Sequence, residues 1–352
     1  MIIMNKYRTE ILMANQNVEQ IKQYILKLID AKDKDFAHKT VEYFGVSKST
    51  VYNYVKKMCE ENILVKAEKT LPPYEIVTVT HKFQYENNGL LGEDKIFRTD
   101  ILPLLKSYEK NVCSAWQYAF TEMMNNAIEH SKAAEISVLF SSNPLKTSIL
   151  IRDNGIGIFK NIQTFLKEEK HEDLSLDECV SLLFAGKFTT AVSCHSGEGI
   201  FFTSHLMDEF FIFSDGIFFS RDNFTDKTLM NIGKISGTIV SMSLSNQSKK
   251  TAKEVFDRFA DIEEGFIRTH IPIAHMFAYG NPISRSEARR LASLVDGFKE
   301  ITLDFSGVEE VGQAFCHELF IVWQRNHPDV VFNVVNACED VNFMIQRVKN
   351  TK

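Results

Sequence analysis

The chain has few of the residues that staple small secreted folds. Its 352 residues hold six cysteines, Cys59, Cys113, Cys179, Cys194, Cys316 and Cys338, and none forms a CxxC pair. That scatter argues against a disulfide framework or a zinc site and predicts buried thiols in a reducing cytoplasm. Long apolar runs are missing as well, since none reaches the roughly 18 residues that a membrane-spanning helix needs. The opening "MIIMNKYRTEILM" is broken by Lys6, Arg8 and Glu10, which leaves no apolar core for a signal peptide. Neither a GxxxxGK[ST] loop nor a GxGxxG turn occurs, so two common phosphate cradles are excluded. Repeats and low-complexity tracts are also absent. The remainder is 44% hydrophobic and 24% charged, the make-up of a globular protein, in a length that suits two or three domains.

The formal charge of −6 is unevenly shared. Up to Pro72, 12 basic residues stand against 9 acidic ones, which leaves −9 for the rest. A mildly basic head on an acidic body predicts one module that meets phosphates. In that head, "VEQIKQYILKLIDAKDKDFAHKTVEYFGVSKSTVYNYVKKMCEENILV" divides into three helical stretches. The first sets Ile21, Ile25, Leu26 and Ile29 on one stripe. The second runs from near Asp35 to Phe44 and ends at Gly45; the third is capped by Ser47 and runs to about Glu61. "LVKAEKTLPPYEIVTVT" then adds two short β-rich segments around Pro72 and Pro73.

This order resembles bacterial winged helix-turn-helix domains, with "FGVSKSTVYNYVKKM" in the place of the turn and recognition helix. The resemblance implies DNA binding, with Lys48, Ser49, Thr50, Tyr52 and Asn53 facing the major groove and Lys56 and Lys57 near phosphates. On a small helical bundle the same residues would simply be solvated. Helix-turn-helix proteins commonly pair on DNA, so a homodimer is compatible with this reading.

In the middle of the chain, "YAFTEMMNNAIEHS" reads as a helix with two faces. Phe120, Met123, Met124, Ala127 and Ile128 are apolar, whereas Glu122, Asn126, Glu129 and His130 share another stripe. A carboxylate and an amide one turn apart can share a magnesium-bound phosphate and its attacking water. Alone, such a face equally well meets solvent. "RDNGIGIFK" follows the apolar "SILI", and its Asn-Gly signals a turn or the wall of a ligand site. "CHSGEGIFFTSHLMDEF" sets glycines before an apolar helix, whose unpaired first-turn amides favour anions, or which is an ordinary cap. "KISGTIVSMSLS" places Gly237 and Thr238 at a strand start.

Taken in order, these four elements resemble the ATP-binding domain of the gyrase, heat-shock chaperone, histidine kinase and mismatch-repair (GHKL) superfamily, the Bergerat fold. The resemblance implies that Asn126 binds Mg2+ and Asp153 accepts the adenine amino group. It puts Gly155 and Gly157 along the base, Gly197 and Gly199 at the phosphates, and Thr238 behind the adenine-binding carboxylate. Glu122 would be the catalytic base. Lys187, Thr189, Thr190 and His195, in the segment between Phe159 and Ser196, are further candidates for phosphate contacts. "TEMMNNAIEH" is most similar to the anti-sigma serine kinases; sensor histidine kinases fit less well, because no upstream helix pair carries a His followed by Glu or Asp and then Pro.

The tail alternates short strands and helices. Within it, "EITLDFSGVEEVGQAFCHELFIVW" resembles the sulfate-transporter and anti-sigma-antagonist (STAS) fold. Family members that accept phosphate carry a hydroxyl residue at the helix start, where this chain has Gly312, Gln313, Ala314 and Phe315. Ser306 lies in the preceding turn. The role that the resemblance implies is docking onto another module or another protein.

The expected organisation is therefore a multi-domain α+β chain. It comprises a winged helix-turn-helix over 1–80, a linker over 81–93, a Bergerat-fold α/β sandwich ATPase over 94–247, a connector helix over 248–265 and a small α/β STAS-like domain over 266–352. The expected function is an ATP-regulated transcriptional or signalling regulator in the cytoplasm, with DNA, a protein partner, ATP and Mg2+ as ligands and no membrane contact. The alternative is an anti-sigma-type serine/threonine kinase acting on a separate partner, or an ATPase that acts as a timer.

Overall fold

The computed structural model of the chain describes residues 17–67, 70–171, 174–186, 198–220, 235–261, 263–277 and 281–350. Helix α1 (17–30) is followed by α2 (Phe36–Phe44) and α3 (Lys48–Glu60). Gly45 takes φ 66° and returns its N–H to the Val41 carbonyl, so the chain reverses where a Cβ would be strained. Ser47 then starts α3 by accepting the Thr50 N–H at 3.1 Å. Strands β1 (Leu64–Lys66) and β2 (Tyr74–Ile76) pair antiparallel. The α1 stripe, Ile21, Ile25, Leu26 and Ile29, packs with Phe36, Val51, Val55, Met58 and Leu64 in one core, against which Leu145 also lies. The described residues up to Lys82, with Leu139–Ile149 and Leu244–Gln247, form one compact unit.

A second unit takes in the described residues of Phe83–Val138, Leu150–Ser243 and Ser248–Lys352. A six-stranded sheet runs in the order β3-β4-β5-β8-β6-β7. Its strands are β3 (Val79–Glu86), β4 (Glu135–Ser142), β5 (Lys146–Asp153), β6 (Glu209–Ser214), β7 (Ile217–Ser220) and β8 (Thr238–Ser245). β6 is antiparallel to both of its neighbours. Alternate residues of β4 and β5 are buried, Ile136, Val138 and Phe140 in one and Thr147, Ile149 and Ile151 in the other, as period-2 patterning requires. The helices here are α4 (Glu93–Ile96, running on through Phe97–Ile101 and Leu102–Leu105), α5 (Lys110–Asn125, continued by Asn126–His130), α6 (Ile158–Phe165, continued by Leu166–Lys170), α7 (Leu176–Ala185) and α8 (Gly199–Leu206).

The stretch 81–93, expected to link, instead carries β3 as far as Glu86. Half-buried Phe83 and Tyr85 alternate with exposed Gln84 and Glu86, and the Tyr85 hydroxyl donates to Asp100 of α4 at 2.8 Å. Only Asn87 to Gly92 is irregular, and the neighbouring Asn and Gly residues hide the strand pattern before them.

A capping box between Thr251 and Glu254 opens α9 (Ala252–Phe259), which leads to the short antiparallel pair β9 (Ala260–Asp261) and β10 (Gly265–Phe266). Beyond it, β11 (Arg268–Pro272), β12 (Glu300–Asp304) and β13 (Val331–Val335) form a parallel sheet in that order. Helices α10 (Ile273–Met276), α11 (Arg285–Leu294), α12 (Gln313–His317, continued by Glu318–Trp323 and Gln324–Asn326) and α13 (Glu339–Asn350) accompany it. Thr269, Ile271, Ile301 and Leu303 are buried on one face of this sheet, whereas Arg268, His270, Glu300 and Thr302 are half-buried on the other. Among the described residues no helix is long and apolar enough to cross a membrane.

Candidate functional site

Helix α5 buries Trp116, Phe120, Met123 and Ala127, which leaves Glu122 and Asn126 half-buried one turn apart on an adjoining stripe. The Asn126 N–H returns to the Glu122 and Met123 carbonyls, and Asn126–His130 then winds as a single wide π turn. Such turns are rare and collect at functional positions.

Glu122 faces the start of α8. Gly199 lies so close to its carboxylate that a Cβ there would overlap Oε2 and stand 3.1 Å from Cδ. This is the N-terminus of α8, where the helix dipole favours an anion. One turn earlier on α5, the Tyr118 phenol is pushed up by burial and, after that, by the negative charges of Glu122 and Glu198. Two carboxylates and a helix N-terminus thus stand together.

Asp153, the last residue of β5, belongs to a second group and is buried. Its Oδ1 accepts the Gly155 N–H at 2.8 Å, and the N–H and hydroxyl of Thr238 also donate to the carboxylate. Burial pushes the Asp153 carboxyl up, with these donors opposing it. The Thr238 hydroxyl in turn accepts the Ile158 N–H at 3.1 Å. A Cβ on Gly155 would strike the Ser131 carbonyl, whose oxygen accepts the Ile156 N–H at 2.9 Å. Gly157 takes φ 85°, and a side chain there would run into the Asp215 carboxylate and the Ser214 hydroxyl. Because Ser131 follows directly on the π turn, it ties the Asp153 turn to the helix that carries Glu122 and Asn126.

Glu122 and Gly199 therefore meet directly, as do Asp153, Gly155 and Thr238, with Gly157 beside them and Asn126 on the helix that joins the two groups. Gly197, Lys187, Thr189, Thr190 and His195 lie outside the described residues. Ser131, Ser214, Asp215, Tyr118 and Glu198 carry no signal in the sequence that would single them out. "SDG" is legible as the hairpin turn between β6 and β7, but its approach to Gly157 is a tertiary fact.

The chemistry on offer follows from these groups. A desolvated carboxylate backed by peptide and hydroxyl donors accepts a hydrogen bond from an amine-bearing ring, and bare glycine backbone admits a flat ligand. An amide oxygen and a carboxylate suit a hard cation such as Mg2+, which completes its shell with water and phosphate. No group of three or more His, Cys, Asp or Glu residues among the described residues could hold a metal by itself. A cation here would depend on a ligand's own oxygens.

On α3, Lys48, Ser49, Tyr52 and Asn53 are exposed, together with Lys56 and Lys57. Thr50 is half-buried, and its hydroxyl lies 2.8 Å from Ser47 Oγ, within the cap rather than facing outward.

In the C-terminal sheet, β12 ends at Asp304, the loop turns through Phe305 and Ser306, and α12 starts after Gly312. Residues 287–342 match a STAS-like domain of unknown function (DUF4325). Comparison of the chain with curated proteins returned no match. In the STAS-like domain the Ser306 hydroxyl donates to Asp304 Oδ1 at 2.7 Å and its N–H to the same oxygen at 2.9 Å, so Ser306 shapes the turn. The Asn336 amide donates to that oxygen at 3.0 Å, and His270 Nε2 lies 3.1 Å from Oδ2. Burial would raise the Asp304 carboxyl, yet these donors outweigh it and hold the group at about 2. At the helix start, Gly312 abuts the Ile283 carbonyl and donates its N–H to Pro282 O at 2.9 Å.

Proposed function

We propose that the chain is an ATP-binding regulator. Residues 94–247 act as a Bergerat-type module that takes Mg-ATP, the N-terminal helices act as a winged helix-turn-helix on DNA, and the STAS-like domain docks a protein partner. The reading is carried by two contacts between separate chain segments, which it joins into one site: Glu122 against Gly199, and Asp153 with Gly155 and Thr238. In it, Asp153 accepts the adenine amine, Gly155 and Gly157 leave room for the ring, Asn126 meets Mg2+, and the first turn of α8 receives phosphate. The exposed Lys48, Ser49, Tyr52 and Asn53 of α3 suit a DNA groove. STAS-like domains often serve as protein-interaction modules, which favours a docking role for the tail.

Isothermal titration of the whole chain with ATP and MgCl2 tests the pocket. Binding is expected, and it should be lost in Asp153→Ala and weakened in Asn126→Ala; no heat with the wild-type chain refutes the reading. Fluorescence anisotropy with promoter-length DNA, with and without ATP, tests the regulatory half, and equal affinity in both would reject a nucleotide switch. A second reading, phosphoryl transfer to serine or threonine of a partner or hydrolysis, is favoured by Glu122 standing against Gly199 at the start of α8. Glu122→Gln is then expected to bind ATP normally while turnover falls about a hundredfold.

A further inference from the structure

Helix α8 leaves the site at Gly199 and immediately carries Phe201 and Phe202 into a cluster of aromatic rings. The Phe202 ring centre lies 4.3 Å from that of Phe256 on α9, and the Phe201 centre lies 4.9 Å from that of Phe259. Both rings also meet Phe266 of β10, at 4.7 Å and 5.0 Å. Phe266 in turn stands edge-on to Phe298 at 5.0 Å. Phe298 is buried immediately ahead of β12, the central strand of the parallel sheet. Two peptide hydrogen bonds run beside this contact, from the Lys299 and Glu300 N–H groups to the Ile267 carbonyl, at 2.8 Å and 3.2 Å.

These rings are anchored at their other end too. Tyr118, which feels the charges of Glu122 and Glu198, stands edge-on to Phe256 at 5.4 Å. Gly186, just after α7, has φ 91° and lies so near the Phe201 ring that a Cβ would overlap it, while α7 itself packs on β11 and α10. From Tyr118 on α5 to Phe298 ahead of β12 the route is thus made of ring contacts between closely apposed elements.

We infer that this ring cluster transmits occupancy of the Glu122–Gly199 end to the STAS-like domain, so that a magnesium-bound triphosphate sets the state in which that domain meets its partner. The inference rests on the nucleotide reading of the site. Glu122 stands against Gly199 at the start of α8, so an anionic phosphate received there meets its negative charge at close range, and filling the site is expected to move α8 relative to α5. Close-packed rings do not absorb such a shift gradually; they pass it to the next element or rearrange.

The test uses the full chain, with ATP binding followed by titration calorimetry and amide exchange followed at residues 268–272 and 300–304. Saturating Mg-ATP is expected to slow exchange in both segments at least threefold, and adenosine, which fills only the Asp153 end, should leave them unchanged. In Phe266→Leu and in Phe298→Leu the slowing should drop below 1.5-fold while ATP still binds. Calorimetric binding with no change of exchange in the wild-type chain overturns the inference and leaves the nucleotide site standing. Equal slowing by adenosine, or undiminished slowing in both variants, overturns the route. Absence of any binding heat removes the nucleotide reading and the inference together.

Discussion

Replacing Asp153 by alanine removes the acceptor shared by the Gly155 N–H, the Thr238 N–H and the Thr238 hydroxyl in a spot that water hardly reaches. A buried donor left without a partner costs about 1–3 kcal/mol. Part of that loss is offset, because the carboxylate is itself unfavourably desolvated, as its raised carboxyl shows. A net local loss of about 2–4 kcal/mol follows. Asp153→Asn keeps an oxygen for Gly155 and should lose only about 1 kcal/mol. Amide exchange over residues 150–160 reads this directly, since 1.4 kcal/mol is about tenfold in rate: roughly 30-fold or more for alanine and about fivefold for asparagine. The pH dependence has a definite sign. A carboxyl raised above its ordinary 3.8 favours the folded state least when ionised, so its contribution falls as pH rises through the folded value, and the asparagine variant lacks that slope. Exchange in Asp153→Ala within twofold of wild type, after correction for intrinsic rates, would refute the reasoning.

Further outcomes follow from the same geometry. Asp304 is depressed to about 2, so its contribution is complete above its ordinary 3.8 and is lost as pH falls toward 2. Asp304→Asn should cost about 1–2 kcal/mol at pH 7, after allowing for solvent screening, and flatten the acid limb of a circular-dichroism titration. Ser47→Ala removes the cap of α3 and should cost about 1 kcal/mol of thermal stability in the N-terminal unit, whereas Ser49→Ala should cost little. If α3 meets phosphate, Lys57→Ala should lower the slope of log affinity against log salt by about one for any DNA sequence.

The sequence is most readable where local chemistry decides the outcome. Gly45 and Ser47 announce their turn and cap, and alternation over Ile136 to Phe140 and Thr147 to Ile151 marks strands without any tertiary input. Glu122, Asn126, Asp153 and Thr238 stand out as candidates because their residue types and order suggest a chemistry. The tertiary contacts that they make cannot be read that way. The contact of Glu122 with Gly199 joins residues 77 positions apart, and the approach of Asp215 to Gly157 depends on how the β6–β7 hairpin settles. β3 is obscured for a different reason: its alternation is short and runs directly into Asn87, Asn88 and Gly89. The aromatic cluster around Phe201 is invisible in sequence, since phenylalanines at 201, 256, 266 and 298 share no period.

The cover that α9 and β10 place over α8 bears on where the chain can be cut. A fragment ending at Ser245 would retain every described candidate nucleotide contact yet bare the rings of Phe201 and Phe202, which Phe256, Phe259 and Phe266 now shield. Such a fragment should stick to itself or to chaperones rather than behave as a stand-alone nucleotide binder, whereas one that runs on through Phe298 and the parallel sheet should stay dispersed.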